Sequence, residues 1–246
     1  MGALIGGVYA AGKLDEFRNW MKTVDRKKML ELTDFSFSLN HIVKGTRIIE
    51  AIMEFVPDVK IEDLPIPYCA VATDWVTGHE VVFREGSLFE AIRASISLPS
   101  FYEPVHRDGM ILIDGGVTNP IPLNRVVRKE GDILVGVDVS GHDYKAQSEM
   151  HHELAEKRKR STSLSQQILN KLIPDNLEFN YYTMLSRVSS ILIRQNSILM
   201  AQLMKPDILV DIQMARYGGF DFDKSERIIA VGRQRTAMAI NKYEGL

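Results

Sequence analysis

Two short stretches of this chain carry residues whose types and spacing suit acyl-transfer chemistry. The first is Met1-Gly2-Ala3-Leu4-Ile5-Gly6-Gly7-Val8-Tyr9-Ala10-Ala11-Gly12. It reads as the back half of a Gly-x-Ser-x-Gly nucleophile elbow running into its helix. In such an elbow a serine sits on a sharp strand-to-helix turn, and small residues after it let the helix pack closely. Gly2, Gly6 and Ala10 recur every fourth residue and form one narrow helix face, while Gly12 is placed to end the helix as its C′ residue. The serine is missing, and the same composition suits a tightly packed core helix. The second stretch, Ile111-Leu112-Ile113-Asp114-Gly115-Gly116-Val117-Thr118-Asn119-Pro120-Ile121-Pro122, delivers an aspartate from an apolar strand into a glycine turn. Taken alone, Asp-Gly-Gly is also an ordinary turn cap.

The elements that must position these residues are legible from periodicity and punctuation. Leu14, Phe17, Trp20 and Met21 have helical spacing, and a further helix is expected from Thr46 to Phe55, beyond a loop near Phe35–Leu39. Tyr68–Asp74 and Glu80–Phe83 read as strands of a hairpin across Thr77-Gly78. Ser87-Leu88-Phe89-Glu90 fits a capping box that opens a helix through about Ser95, and Pro99 prevents its continuation. Met110–Ile113 and Asp132–Asp138 are short unbroken apolar strands, the pattern of a sheet with helices on both faces. Residues 147–174 and 178–205 are expected to be helical, as is the segment from about Lys224 to Tyr243.

In this order the motifs resemble the patatin-like phospholipase family, which pairs a serine in Gly-x-Ser-x-Gly with the aspartate of an Asp-Gly-Gly or Asp-Gly-Ala motif. Further matches are Ala70-Val71-Ala72-Thr73-Asp74 with Thr77-Gly78, Ala91-Ile92-Arg93-Ala94-Ser95, Leu98-Pro99 with Phe101, and Pro104-Val105. The resemblance continues through Asp132–Asp138 and returns at Pro206-Asp207-Ile208-Leu209-Val210. It implies an α/β fold: a patatin-like core with a largely parallel central sheet flanked by helices, its first strands absent from this sequence. Residues 1–246 then form a single domain, incomplete at its N-terminal end, with a helical insert at about 142–205.

The resemblance assigns Asp114 as proton acceptor within the motif Asp114, Gly115 and Gly116, and makes Met1 and Gly2 the remnant of the elbow, with Met1 directly after the serine. The family's first strand, its glycine-rich oxyanion loop and the Gly-x-Ser half of the elbow would all precede Met1. No other Gly-x-Ser-x-Gly occurs, so the nucleophile is expected outside this sequence and the 246 residues alone are expected to be inactive. The implied function is a lipid acyl hydrolase, a phospholipase or esterase using a Ser-Asp dyad, with phospholipids or other acyl esters as substrates and no metal or organic cofactor. The alternative is a non-catalytic pseudoenzyme that binds lipid or a partner. A nucleotide-binding domain using Gly2–Gly7 as a phosphate loop is weaker, since no strand precedes the glycines and no P-loop lysine is present.

Bulk composition narrows the rest. The chain is 45% hydrophobic and 25% charged, within the ordinary globular range. With 30 basic against 32 acidic residues it lacks the broad positive field that attracts nucleic acid. Cys69, the only cysteine, is expected as a buried strand residue and permits no intrachain disulfide. There is no apolar run of about 18 residues to span a membrane, and no cationic n-region before residues 1–12. A cytoplasmic protein with peripheral membrane contact is therefore expected. His152-Glu153-Leu154-Ala155-Glu156 lacks the second histidine of a zincin helix, and His41, His79, His106 and His142 are expected on the surface or in loops. Lys157-Arg158-Lys159-Arg160 fits a solvated helix face. Val188, Ile191, Leu192, Leu199 and Leu203 have amphipathic spacing and are expected to pack into the core in preference to forming a lipid-facing lid.

Overall fold

The computed structural model describes residues 1–32, 46–99, 102–141, 181–213 and 224–245. The expectations for the loop near Phe35–Leu39, for His41 and His142, for residues 147–174, and for the His152 and Lys157 segments lie outside the described residues.

The chain opens with four helices, α1 (Gly2–Ala10), α2 (Leu14–Lys22), α3 (Arg26–Leu32) and α4 (Thr46–Met53). Strands β1 (Ala70–Asp74) and β2 (Glu80–Phe83) follow, then α5 (Leu88–Ser95), β3 (Val105–Arg107), β4 (Met110–Asp114), β5 (Val135–Asp138), α6 (Tyr181–Met204), β6 (Ile208–Asp211) and α7 (Ser225–Glu244). The elements of an α/β fold are in place, but their pairing differs from a largely parallel sheet. The main sheet, ordered β2-β1-β4-β3, is antiparallel at every junction, and among the described residues only β5 and β6 pair in parallel. The strand within Asp132–Asp138 does pair in parallel, but Met110–Ile113 misled on this point, since β4 runs antiparallel to β3 and to β1, which is buried along its whole length. α5 covers it on one side and the turn after β4 packs against it as well, so double-sided burial arises without parallel crossovers.

The β1–β2 hairpin forms where Thr77-Gly78 implied. Asp74 folds the turn by accepting the Thr77 hydroxyl at 2.6 Å, the Gly78 N–H reaches the Asp74 carbonyl at 2.8 Å, and Gly78 takes φ +70°. The β3–β4 hairpin, which the sequence reading did not assign, turns on Asp108 and Gly109, both at positive φ, as a type I′ turn requires. Gly12, at φ +70°, sits just beyond the end of α1 in the C′ position expected of it.

α5 begins as its capping signature suggested. Ser87 Oγ accepts the Glu90 N–H at 3.0 Å and donates to the Asp58 carboxylate, whose Oδ1 also accepts the Phe89 N–H at 3.2 Å. Two carboxylate and hydroxyl groups thus satisfy N–H groups that the helix cannot pair internally. Ser87→Ala should lower folding stability by about 1 kcal/mol, read as a shifted urea midpoint at constant slope. An unchanged midpoint would remove the cap from the account.

The principal core joins Leu4, Val8, Phe17, Ile52, Leu88, Ile92, Ala72 and Leu112, from α1, α2, α4, α5, β1 and β4. Phe17, Trp20 and Phe55 stack along its outer side, with Trp20 centred 5.8 Å from each of the other two rings. The close approach expected of small residues in α1 falls on Gly7, where a β-carbon would lie 2.9 Å from the Ile92 side chain and 3.0 Å from that of Leu88. Gly6 has ordinary room beside Tyr68 and Gly2 open space. The helix therefore presses on α5 through Gly7, not through the Gly2/Gly6/Ala10 face. Cys69 is only half-buried and lies one residue ahead of β1.

Two smaller clusters serve the parallel pair. Ile121, Leu123 and Leu134 pack with Met200 and Met204 of α6, and Ile208, Val210 and Ile212 pack with Val231 and Ala239 of α7. β5 is shorter than the run Asp132–Asp138, and its burial alternates instead of being continuous. α6 also departs from expectation: Val188, Ile191, Leu192, Leu199 and Leu203 face solvent, while Met200 and Met204 make its core contacts.

Candidate active site

Asp114 ends β4 opposite Ala72 of β1, and its placement rests on main-chain contacts. Its N–H donates to the Ser97 carbonyl at 2.9 Å, and its own carbonyl accepts the Thr73 hydroxyl at 3.1 Å. Thr73 Oγ1 lies 2.9 Å from Thr118 Oγ1, which ties the far side of the turn to the same strand. The carboxylate caps the 3-10 turn Gly115–Val117, accepting the Gly116 N–H on Oδ1 at 2.6 Å. The turn-cap role is therefore real. It occupies one carboxylate oxygen.

The two glycines serve different purposes. A β-carbon at Gly115 would run into the Val71 carbonyl of β1, so the turn can lie this close to the sheet only without a side chain. At Gly116 a β-carbon would stand 2.8 Å from Asp114 Oδ1, crowding the carboxylate itself. Beyond them, the Asn119 N–H donates to the Gly115 carbonyl at 2.8 Å. The Asn119 amide reaches Glu80 Oε1 at 3.2 Å, and Glu80 receives Arg125 on both oxygens at 2.8 Å. The Arg125 hydrogen bond holds the Glu80 carboxyl below its usual range, so this brace on β2 stays charged at neutral pH.

Met1 arrives at the same place from α1. Tyr68 anchors the first turn of the helix by donating its hydroxyl to the Ala3 carbonyl at 2.9 Å. The Met1 α-amino group is close enough to Asp114 for each to act on the other's ionisation. Burial pushes the Asp114 carboxyl above its usual range, against the pull of the amino group and of the Gly116 N–H. Burial likewise lowers the amino group, and Asp114 opposes that shift. The two stretches singled out from the sequence, more than a hundred residues apart, thus converge on one partly buried spot, with Met1 itself half exposed. An apolar crevice lined by Met1, Leu4, Phe17, Trp20, Met21 and Ile52 adjoins it.

A profile of the patatin-like phospholipase family matches residues 1–127, a span that includes both Met1 and the Asp114 turn. The chain belongs to the patatin-like phospholipase family. Uncharacterized NTE family proteins of Mycobacterium bovis and Mycobacterium tuberculosis are 43% identical over 143 residues, 58% of this chain and 40% of theirs. The neuropathy target esterase of Drosophila melanogaster is 29% identical over 150 residues, 58% of this chain and 10% of that protein. The stretch matched in this patatin-like chain spans two fifths of the mycobacterial proteins and a tenth of the fly protein.

Several residues that hold the patatin-like site were not singled out from the sequence. Tyr68, Ser97, Thr73 and Thr118 act through contacts between distant segments, which periodicity does not register. A second polar cluster lies at the carboxyl ends of the parallel strands. Arg194 of α6 pairs with the buried Asp138 at 2.6 Å, and Ser140 Oγ donates to the same carboxylate at 2.6 Å. This clamp fixes α6, which packs on the Gly115–Val117 turn. His79 and His106 are exposed, and among the described residues no group of three His, Cys, Asp or Glu side chains is arranged to hold a metal. No described helix is long and apolar enough to cross a membrane.

Proposed function

We infer that this patatin-like domain hydrolyses acyl esters of phospholipids or similar lipids through a Ser-Asp dyad. In this reading residues 1–246 form one domain, and the serine occupies the position directly before Met1. Its Oγ attacks the acyl carbonyl and Asp114 takes the hydroxyl proton. The leaving alcohol departs with a proton returned from Asp114; water then attacks the acyl-serine as the same carboxylate takes its proton, and collapse of that adduct releases the fatty acid while the proton returns to the serine Oγ. The observation that carries the proposal is the fixed position of Asp114 at the end of β4, where the Gly116 N–H binds Oδ1, burial raises the carboxyl, and the start of α1 lies near enough to influence it.

The chemistry of that spot supports the assignment. A free aspartate, with a pKa near ~3.9, is a poor base toward a hydroxyl, and desolvation raises the basicity of Asp114. With a residue joined before Met1, the amine becomes a peptide N–H at a helix N-terminus. It can then donate to the tetrahedral oxyanion, and its positive charge no longer opposes the rise of Asp114. Residues 1–246 by themselves supply base and helix but no serine at this point, and are inactive on this reading.

The test compares the 246-residue chain with one extended through Gly-x-Ser before Met1, using a p-nitrophenyl acyl ester and a phospholipid. Hydrolysis is expected only from the extended chain, and replacing its serine with alanine should abolish it. Equal hydrolysis by the serine and alanine forms would overturn the dyad. Lipid binding with no hydrolysis by the extended chain would favour the pseudoenzyme reading.

A further inference from the structure

The helix that walls the candidate site turns an uncharged stripe outward. α6 faces inward with Met200, Met204 and the clamped Arg194, and Asn196 Nδ2 approaches the Val117 carbonyl, beside the Asp114 turn, at 3.5 Å. On its other side Met184, Val188, Ile191, Leu192, Leu199 and Leu203 are between 45% and 74% exposed. At helical spacing these six fall within one arc of roughly 120°, and no described element packs on them. The exposed Gln195 and Gln202 fall inside the same arc; single exposed apolar residues are common, but six grouped on one face mark a surface that meets something apolar.

The charge pattern indicates what that is. The whole chain has 32 acidic residues, yet none lies between Tyr181 and Met204, where the only charges are Arg187 and Arg194. Arg187 is exposed near one end of the stripe and the exposed Lys205 follows the other. A mainly apolar face without carboxylates and bordered by cations complements an anionic lipid surface, where such a helix lies in the plane of the headgroups.

We propose that α6 seats the domain on an anionic lipid surface, with its apolar stripe in the headgroup–acyl boundary and the Asp114 turn at the rim of the contact. The proposal rests on the reading of the site as a lipid acyl hydrolase, and adds how that site meets a substrate that does not leave its bilayer. The clamp of Arg194 on Asp138 gives the contact a fixed geometry relative to Asp114.

Cosedimentation with vesicles of ether-linked phospholipid tests this, because ether lipids contain no acyl ester and the measurement stays independent of hydrolysis. The protein should bind vesicles containing phosphatidylglycerol more strongly than pure phosphatidylcholine, and less strongly as salt rises. The double variant Leu192→Ser/Leu199→Ser should bind at least about tenfold more weakly, with an unchanged melting temperature. Arg187→Glu should reduce only the preference for anionic vesicles, and Met238→Ser, at an exposed site on α7, should change nothing. Equal binding by the double variant and the unaltered protein would overturn the proposal. So would absence of vesicle binding, and a self-association that the double variant abolishes would then assign the stripe to a second copy. Vesicle binding that survives while the extended chain hydrolyses no ester would overturn the dyad and leave the surface standing.

Discussion

Asp114→Asn, in a chain carrying the serine before Met1, is expected to lower ester hydrolysis by about 10²–10⁴, and further if serine and aspartate act as one unit. Asparagine keeps the shape of the side chain and an oxygen for the Gly116 N–H, which now binds Oδ1 at 2.6 Å. It cannot take a proton from a hydroxyl, so the loss should appear in kcat. The stability of the variant separates this from a structural role. Burial raises the folded-state pKa of Asp114, so the native state binds its proton more tightly than the unfolded chain does. The sign of linkage then makes stability fall as pH rises from the ordinary carboxylate range through the raised value. At neutral pH the buried carboxylate is a liability, and the asparagine variant should melt at the same temperature or higher. That advantage should vanish in acid, where both side chains are neutral. For the same reason the acidic limb of kcat/KM should lie above ~3.9, the usual aspartate value. Near-normal turnover in the variant, or a markedly lower melting temperature at pH 7, would return Asp114 to the role of turn cap alone.

Gly115→Ala should be the most damaging single methyl group in the site, costing on the order of 4 kcal/mol or more of stability. The added carbon meets the carbonyl of Val71, a backbone group in the middle of the main sheet. No rotamer change can relieve such a contact, and relief requires β1 and β4 to part where Ala72 faces Asp114. Gly116→Ala provides the contrast, since its methyl would press on the Asp114 side chain and should disturb activity more than folding. Chemical denaturation of both variants beside the parent checks the pair, and equal midpoints for Gly115→Ala and the parent would refute the packing argument.

Much of the local structure could be read from the chain because short-range chemistry determines it. Ser87 with Glu90, Thr77-Gly78 and Gly12 each satisfy or terminate a backbone pattern within a few residues, and each stands where its type implied. Asp108-Gly109 carried an equally local hairpin signal that the reading passed over. Outside the β1–β2 hairpin, sheet direction was not legible, because an apolar strand such as Met110–Ile113 has the same composition whether its neighbours run parallel or antiparallel. The outward face of α6 was misassigned for a related reason. Amphipathic spacing locates an apolar stripe on a helix but does not say which side meets the protein. Here two methionines and a clamped arginine form the inner face, and the leucines lie outside. At the site, Asp114 and Met1 were each visible as motif fragments, while Tyr68, Ser97 and Thr73 depend on contacts that arise only once the sheet has assembled.

The manner in which Asp114 is held bears on how such a site persists while sequences diverge. Its N–H is fixed by the carbonyl of Ser97, the glycine after it is gauged by the carbonyl of Val71, and the turn is closed by the N–H of Asn119. Every residue type offers a carbonyl and all but proline an N–H, so these neighbours can be exchanged without moving the carboxylate. Among these main-chain contacts only the aspartate and its glycines depend on identity, while Thr73 must keep a hydroxyl to reach the Asp114 carbonyl. A site built in this way ties few side chains to their identity and leaves most of its neighbours free to change.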